Sequence, residues 1–129
     1  MGKAQKVVAV LLVIAGIIHL LPVSGVLGVE RLAVLYGVSL HDPDLEILMR
    51  HRAILLGLLG FLMIHAAFRS AQQGLVIILG LVSVISFIVI AWLVGGYNES
   101  ISQVVIADVV ALVALIVAGA IRAATRKYR

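Results

Sequence analysis

Three places in this chain set ionisable side chains into otherwise apolar stretches: His19, the run Arg50-His51-Arg52, and Asp108. Carrying such a group into bilayer hydrocarbon costs roughly 2.5 to 3.5 kcal/mol, which makes each a candidate for a functional role. Asp108 with Arg50 or Arg52 would form a neutralised pair, and breaking such a pair once buried costs about 3 to 5 kcal/mol. Two arginines and a histidine against one deep carboxylate leave positive charge over. That surplus suits an anionic or carbonyl-bearing ligand, anchored by Arg50 and Arg52, hydrogen-bonded by His51 and His19, and balanced by Asp108. The same set would serve proton transfer on an apolar substrate, such as an isomerisation, with His51 and Asp108 as acid and base. A purely structural reading also stands, in which the pairs lock the helices in register, with Glu46 and Arg50 at i, i+4 spacing on one helix face.

A haem or metal site is a further reading. His51 and His65 are fourteen residues apart on one stripe through Leu55, Leu58 and Leu62, which is about 21 Å at 1.5 Å per residue. That spacing resembles the two-haem helices of b-type cytochromes. His65, however, has no histidine on another span at its level, and only His19 with His51 could make a bis-histidine pair. A divalent metal would draw on His19, His41, His51 and a carboxylate, with no diagnostic spacing among them. The chain has no cysteine, so disulfides, thiolate metal sites and cysteine nucleophiles are excluded. GxSxG, HExxH, P-loop and strand-linked GxGxxG motifs are absent as well. The residues therefore imply no resident cofactor and identify no enzyme.

The elements that must position these residues are long apolar helices. Of the 129 residues, 64% are hydrophobic and 12% charged, against about 45–50% and 25% in soluble domains. No water-soluble interior of this size hides that much hydrocarbon, and the length suits one domain. The formal charge is +4 and the pI near 10, but the basic residues flank apolar runs instead of gathering on a soluble face, which points to a bilayer and not to nucleic acid. Four spans are expected, over about 4–21, 43–68, 74–94 and 101–124. Pro22 should stop the first. A cleaved signal peptide is the competing reading of that run, with Lys3 and Lys6 before it and Val23-Ser24-Gly25 after it; three further spans and the internal His19 favour a retained helix. Asp42 as N-cap, then Pro43, Asp44 and Glu46, opens the second. Gly95-Gly96 ends the third, and Ser100-Ile101-Ser102-Gln103 has the capping-box pattern that would open the fourth.

Direction follows from the flanking charges. Lys3, Lys6, Arg69, Arg122, Arg126, Lys127 and Arg129 fall on one side if the spans alternate, which the positive-inside rule makes cytoplasmic, with both termini. Glu30, Asp42, Asp44, Glu46, Glu99 and Asp108 fall on or toward the other. The three ionisable regions then share the outer half. Residues 29–36 read as a short helix on the outer interface, ended by Gly37, with Glu30 and Arg31 exposed or turned over the bundle mouth, a plain loop being the alternative. Trp92, Tyr97 and Asn98 end the third span at that level, as ligand contacts or as an interfacial aromatic belt. Small residues at helical spacing mark the contact faces: Ala53, Gly57 and Gly60; Gly80 and Ser83; Ala107, Ala111, Ala114 and Ala118. The expected fold is an all-α membrane protein, a four-transmembrane-helix up-down-up-down bundle with a short outer interfacial helix.

Residues 30–38 (Glu30 to Val38), Asp42-Pro43-Asp44-Leu45, Leu48 to Leu55 around Arg50-His51-Arg52, Ala91 to Asn98, and Ala107 to Ala111 resemble a group of small bacterial four-helix membrane proteins near the DoxX-like superfamily. The likeness covers most of the chain. It implies the bundle fold and a place in the bacterial inner membrane, and it transfers no catalytic residue. Some such chains carry the label phosphopantetheine adenylyltransferase, a soluble nucleotide-binding α/β enzyme with an HxGH motif that no histidine here matches. The expectation for function is a bundle that binds a lipid-like, quinone-like or other apolar small molecule beneath an outer polar lid, or serves as an accessory subunit. Its partners would be the lipid bilayer, that ligand, and a homo-oligomer or larger membrane complex.

Overall fold

The structure is a computed structural model describing residues 1–127, so the Arg129 of the charge pattern lies outside the described residues. Five α-helices make it up: α1 (Lys3–Leu20), α2 (Val29–Tyr36), α3 (Pro43–Ala67), α4 (Ser70–Val94) and α5 (Glu99–Arg126), with no strand among the described residues. The first α-helix ends just before Pro22, as expected. The α-helix closes at Leu20, where proline lacks the amide that would carry the ladder on, and the chain continues as a 3-10 turn over Leu21–Leu27. Counting that extension, four helices are long and apolar enough to cross a membrane.

α1 packs against α3 and α5, and α4 against the same two; α2 sits on the 3-10 turn and touches α5. The small-residue stripes are where these contacts are made. Ala53, Gly60, Gly80, Ala111, Ala114 and Ala118 are buried, while Leu58, Leu75, Ile78, Val82, Val113 and Ile116 point outward. That is the reverse of a soluble bundle, and it suits surroundings that are themselves hydrocarbon. The tightest approach joins α1 to α3. A methyl group added at Gly16 would lie 2.8 Å from the Gly60 carbonyl oxygen, and one at Gly60 would lie 2.6 Å from that of Gly16. The two backbones touch, with no side chain between them.

α2 is placed by its spacing. Leu32 and Tyr36, one turn apart, are its two buried residues, and Gly37 stops it in the left-handed conformation (φ 63°). A Cβ at Gly37 would also sit 2.9 Å from the Asn98 side-chain nitrogen, so glycine is required by conformation and by space. Residues 29–36 are thus helical and lie against the 3-10 turn and α5, not in an open loop.

Gly60→Ala is expected to destabilise the protein by about 1 to 3 kcal/mol, because the methyl meets backbone that cannot change rotamer. Gly119→Ala, where the new atom would meet only Ile77 at 3.5 Å, should be near neutral. Thermal unfolding in detergent micelles measures both.

Candidate functional site

Arg52 lies nine residues into α3 and Asp108 nine residues into α5, about 14 Å along each helix at 1.5 Å per residue. That shared depth brings them to one level. His19 arrives there from the end of α1, and Ser83, Ser86 and Phe87 from within α4. Together they line a cavity of about 260 Å³ between the four long helices, whose remaining wall is apolar, with Leu56 and Ile90 among it.

Each polar group in the cavity is held by a definite partner or left open. His19 is 3% exposed; its Nδ1 lies 2.8 Å from the Ala15 carbonyl oxygen and its Nε2 3.2 Å from Ser83 Oγ. A carbonyl only accepts, so in the neutral ring the proton is on Nδ1 and Nε2 accepts from the serine hydroxyl. Arg52 donates through Nη1 to Tyr36 Oη at 2.7 Å. Its guanidinium carbon stands 5.4 Å from the Tyr36 ring centre and 5.5 Å from that of Phe87, contacts worth about 0.5 to 2 kcal/mol each depending on desolvation. The charge therefore stands within reach of two rings, and one of its donors is taken by the tyrosine hydroxyl. Asp108 is half-buried on the same cavity.

The expected ion pair of Asp108 with Arg50 or Arg52 is not formed. Among the described residues the one ion pair is Glu46 with Arg50, at 3.3 Å on the exposed face of α3. No buried side-chain oxygen or nitrogen among the described residues lacks a partner, which leaves the Asp108 carboxylate reached from the cavity. A cation and a carboxylate thus face one small space without closing on each other. Such a gap offers donors to a carbonyl or anionic oxygen on one side and an acceptor to a hydroxyl on the other.

Other members of the expected set sit apart. His51 and Arg50 point outward, since residues 50 and 51 turn away from the face that carries Arg52 and Ala53. Arg50 instead donates Nε to the Val26 carbonyl at 2.9 Å, pinning the 3-10 turn to α3. Acid–base work by His51 with Asp108 is not assembled by this geometry. Glu30 and Arg31 are exposed, Arg31 bonding Ser24 Oγ at 2.9 Å. Trp92 is 77% exposed and Tyr97 is exposed beyond the end of α4, as an interfacial belt requires. The stripe His51-Leu55-Leu58-Leu62-His65 faces away from the other helices, with Leu55, Leu58 and Leu62 all exposed, so no inner partner is available to a haem held there. His41 bonds Ser39 Oγ at 2.7 Å, and no three His, Asp or Glu side chains among the described residues gather as a metal site.

Asn98 has a different task from the expected one. Its Oδ1 accepts from Ile101 N at 2.9 Å and caps α5, which begins at Glu99, so the cap is Asn98 and not Ser100. Its Nδ2 donates to the carbonyls of Tyr36 at 2.9 Å and Gly37 at 3.1 Å. One amide therefore ties the end of α2, and with it the ring that holds Arg52, to the start of α5. Tyr36, Ser83, Ser86 and Phe87 were not legible as site residues. The signals were the i, i+4 pairing of Leu32 with Tyr36 and the i, i+3 pairing of Ser83 with Ser86 in an apolar run.

No protein-family model, curated protein or solved structure matches the chain. The bearing on function comes from the cavity itself.

Asn98→Ala should lower stability by about 1 to 2 kcal/mol, the cap and the α2 tie being lost together, and should speed amide exchange throughout α2. Asn98→Asp keeps the capping oxygen but not the donor. It is expected to recover the thermal stability in part while α2 still exchanges fast.

Proposed function

We propose that this chain is a small integral protein of the bacterial inner membrane whose four long helices form an up-down-up-down bundle, and that the cavity among them binds the polar head of a lipid-like or quinone-like molecule. The two-residue connection between α3 and α4 and the four-residue connection between α4 and α5 support antiparallel neighbours. The charge distribution supports cytoplasmic termini, and the resemblance to DoxX-like chains supports the same fold while leaving the role to the site. One observation carries the binding reading: Arg52, Asp108, His19 and Ser83 line a single cavity in which cation and carboxylate are not paired with each other. At about 260 Å³ it is smaller than the roughly 300–1,000 Å³ of sites that enclose a whole drug-sized ligand. A head group with one or two oxygens fits it, with a hydrocarbon tail left to the lipid-facing grooves. A second reading is favoured by Asp108 and the hydrogen-bonded His19–Ser83 pair lining one space, namely proton transfer on a bound apolar substrate.

Binding of decylubiquinone to the protein in nanodiscs, measured against empty nanodiscs, tests the first reading. One saturable site is expected, and Arg52→Gln should weaken it at least about tenfold, the worth of a charge-assisted hydrogen bond. Uptake no greater than that of empty nanodiscs, or indifference to Arg52→Gln, would remove quinone-like ligands from consideration. Topology has a clean assay because the chain lacks cysteine. Ser39→Cys should react with an impermeant maleimide on spheroplasts, and Ser70→Cys only after permeabilisation; the opposite pattern would reverse the orientation.

A further inference from the structure

At the opposite end of the helices, where α1 and α4 begin and α5 ends, lies a second and larger cavity of about 480 Å³. None of its lining residues is an Asp or a Glu, and two are arginines, Arg122 and Arg126. They are four residues apart on α5 and so share a face. Arg122 is half-buried and lies along the first turns of α4: a methyl added at Gly74 would stand 3.5 Å from its Nε and 3.6 Å from its Nη2. The glycine leaves room for the planar guanidinium to rest against the helix backbone. Among the described residues the one ion pair lies elsewhere, so this positive charge is not answered by a described carboxylate.

The other polar groups of the cavity are sorted by what they have left to offer. Gln5 spends its Oε1 on the amide of Gly2 at 3.2 Å, which frees its side-chain amide as a donor. Thr125 donates to the Arg122 carbonyl at 3.0 Å. Neither α1 nor α4 has a side-chain cap, and Ala4, Ser70 and Ala71 of their first turns line the cavity, adding the positive ends of two helix dipoles to the arginines. Gln73 is the exception that narrows the ligand. It is only 5% exposed and donates Nε2 to the Ala67 carbonyl at 3.2 Å. Its Oε1 takes no bond from a described residue and is reached from the cavity. A free amide oxygen beside two guanidinium groups suits a ligand that brings both anionic oxygens and a hydroxyl.

We propose that this cavity is a binding site for the phosphate group of an anionic ligand, its oxygens held by Arg122 and Arg126 and a neighbouring hydroxyl by Gln73. A phosphodiester head group with a free hydroxyl and free hydrogen phosphate share that chemistry. The site is independent of the cavity around Arg52.

The test titrates the full chain, in uncharged maltoside micelles, with three probes: dihexanoyl phosphatidylglycerol, dihexanoyl phosphatidylcholine and inorganic phosphate. Saturable binding of phosphatidylglycerol, at least about tenfold tighter than of phosphatidylcholine and weakened about tenfold or more by Arg122→Gln or Arg126→Gln, is the expected result. If inorganic phosphate binds with the same dependence on the arginines, the site holds free phosphate; if only the lipid binds, it holds a head group. Both outcomes support the proposal. Arg122→Lys with Arg126→Lys keeps the charge and the helix ends but loses the paired donors, and should bind at an intermediate level with unchanged thermal unfolding. Equal affinity for the two lipids together with no phosphate binding, or binding that survives both glutamine substitutions, overturns it. The wild-type titration alone decides this should either variant fail to fold.

Discussion

Hydrocarbon offers no hydrogen bond, and on four helices apolar enough to cross a membrane a polar side chain can find a partner only on its own helix or on another. His19, Arg52, Ser83 and Asp108 all turn toward other helices, and outward-facing apolar residues such as Leu58, Ile78 and Val113 cover the rest. A polar group set among such helices either finds a partner or keeps a pocket open beside it. His19 and Arg52 do the first, through Ala15, Ser83 and Tyr36. Asp108 does the second.

Arg52 shows how the fold manages a charge without neutralising it. The Tyr36 hydroxyl takes one donor and two ring faces border the cation, so its position is set by polarisable neighbours and not by a carboxylate. Closing a salt bridge to Asp108 would have consumed both groups at once. That setting depends on residues far along the chain: Tyr36 belongs to a short helix outside the spans, and that helix is tethered through Asn98 to the start of α5. The short helix is thereby part of the site.

Element types and approximate boundaries were largely legible in the sequence, because span length, terminal charges and the Asp42-Pro43 start are local signals. The small-residue stripes also fell on buried faces, as Ala118 illustrates, and at Gly60 where two backbones approach. What escaped was rotational phase. Arg50, His51 and Arg52 are consecutive, and 100° per residue separates them around α3, so only one of the three reaches the cavity. Nothing in their identities says which. The same holds for Asn98, whose two-sided tie depends on α2 folding back over a residue 61 positions away. Pro22 marked the end of the first α-helix correctly, and what it did not announce was the 3-10 turn that continues from there over Leu21–Leu27.

The contact of Gly16 with Gly60 sets backbone against backbone at one level of α1 and α3. A gap between side chains can widen or narrow as rotamers exchange, whereas peptide groups in contact have no such slack. These two helices therefore behave as one stiff plank. The other wall of the cavity beside Arg52 is built from side chains, with Phe87 and Ser83 from α4 and Asp108 from α5. The site thus has one wall fixed by peptide groups and another whose shape is left to rotamers.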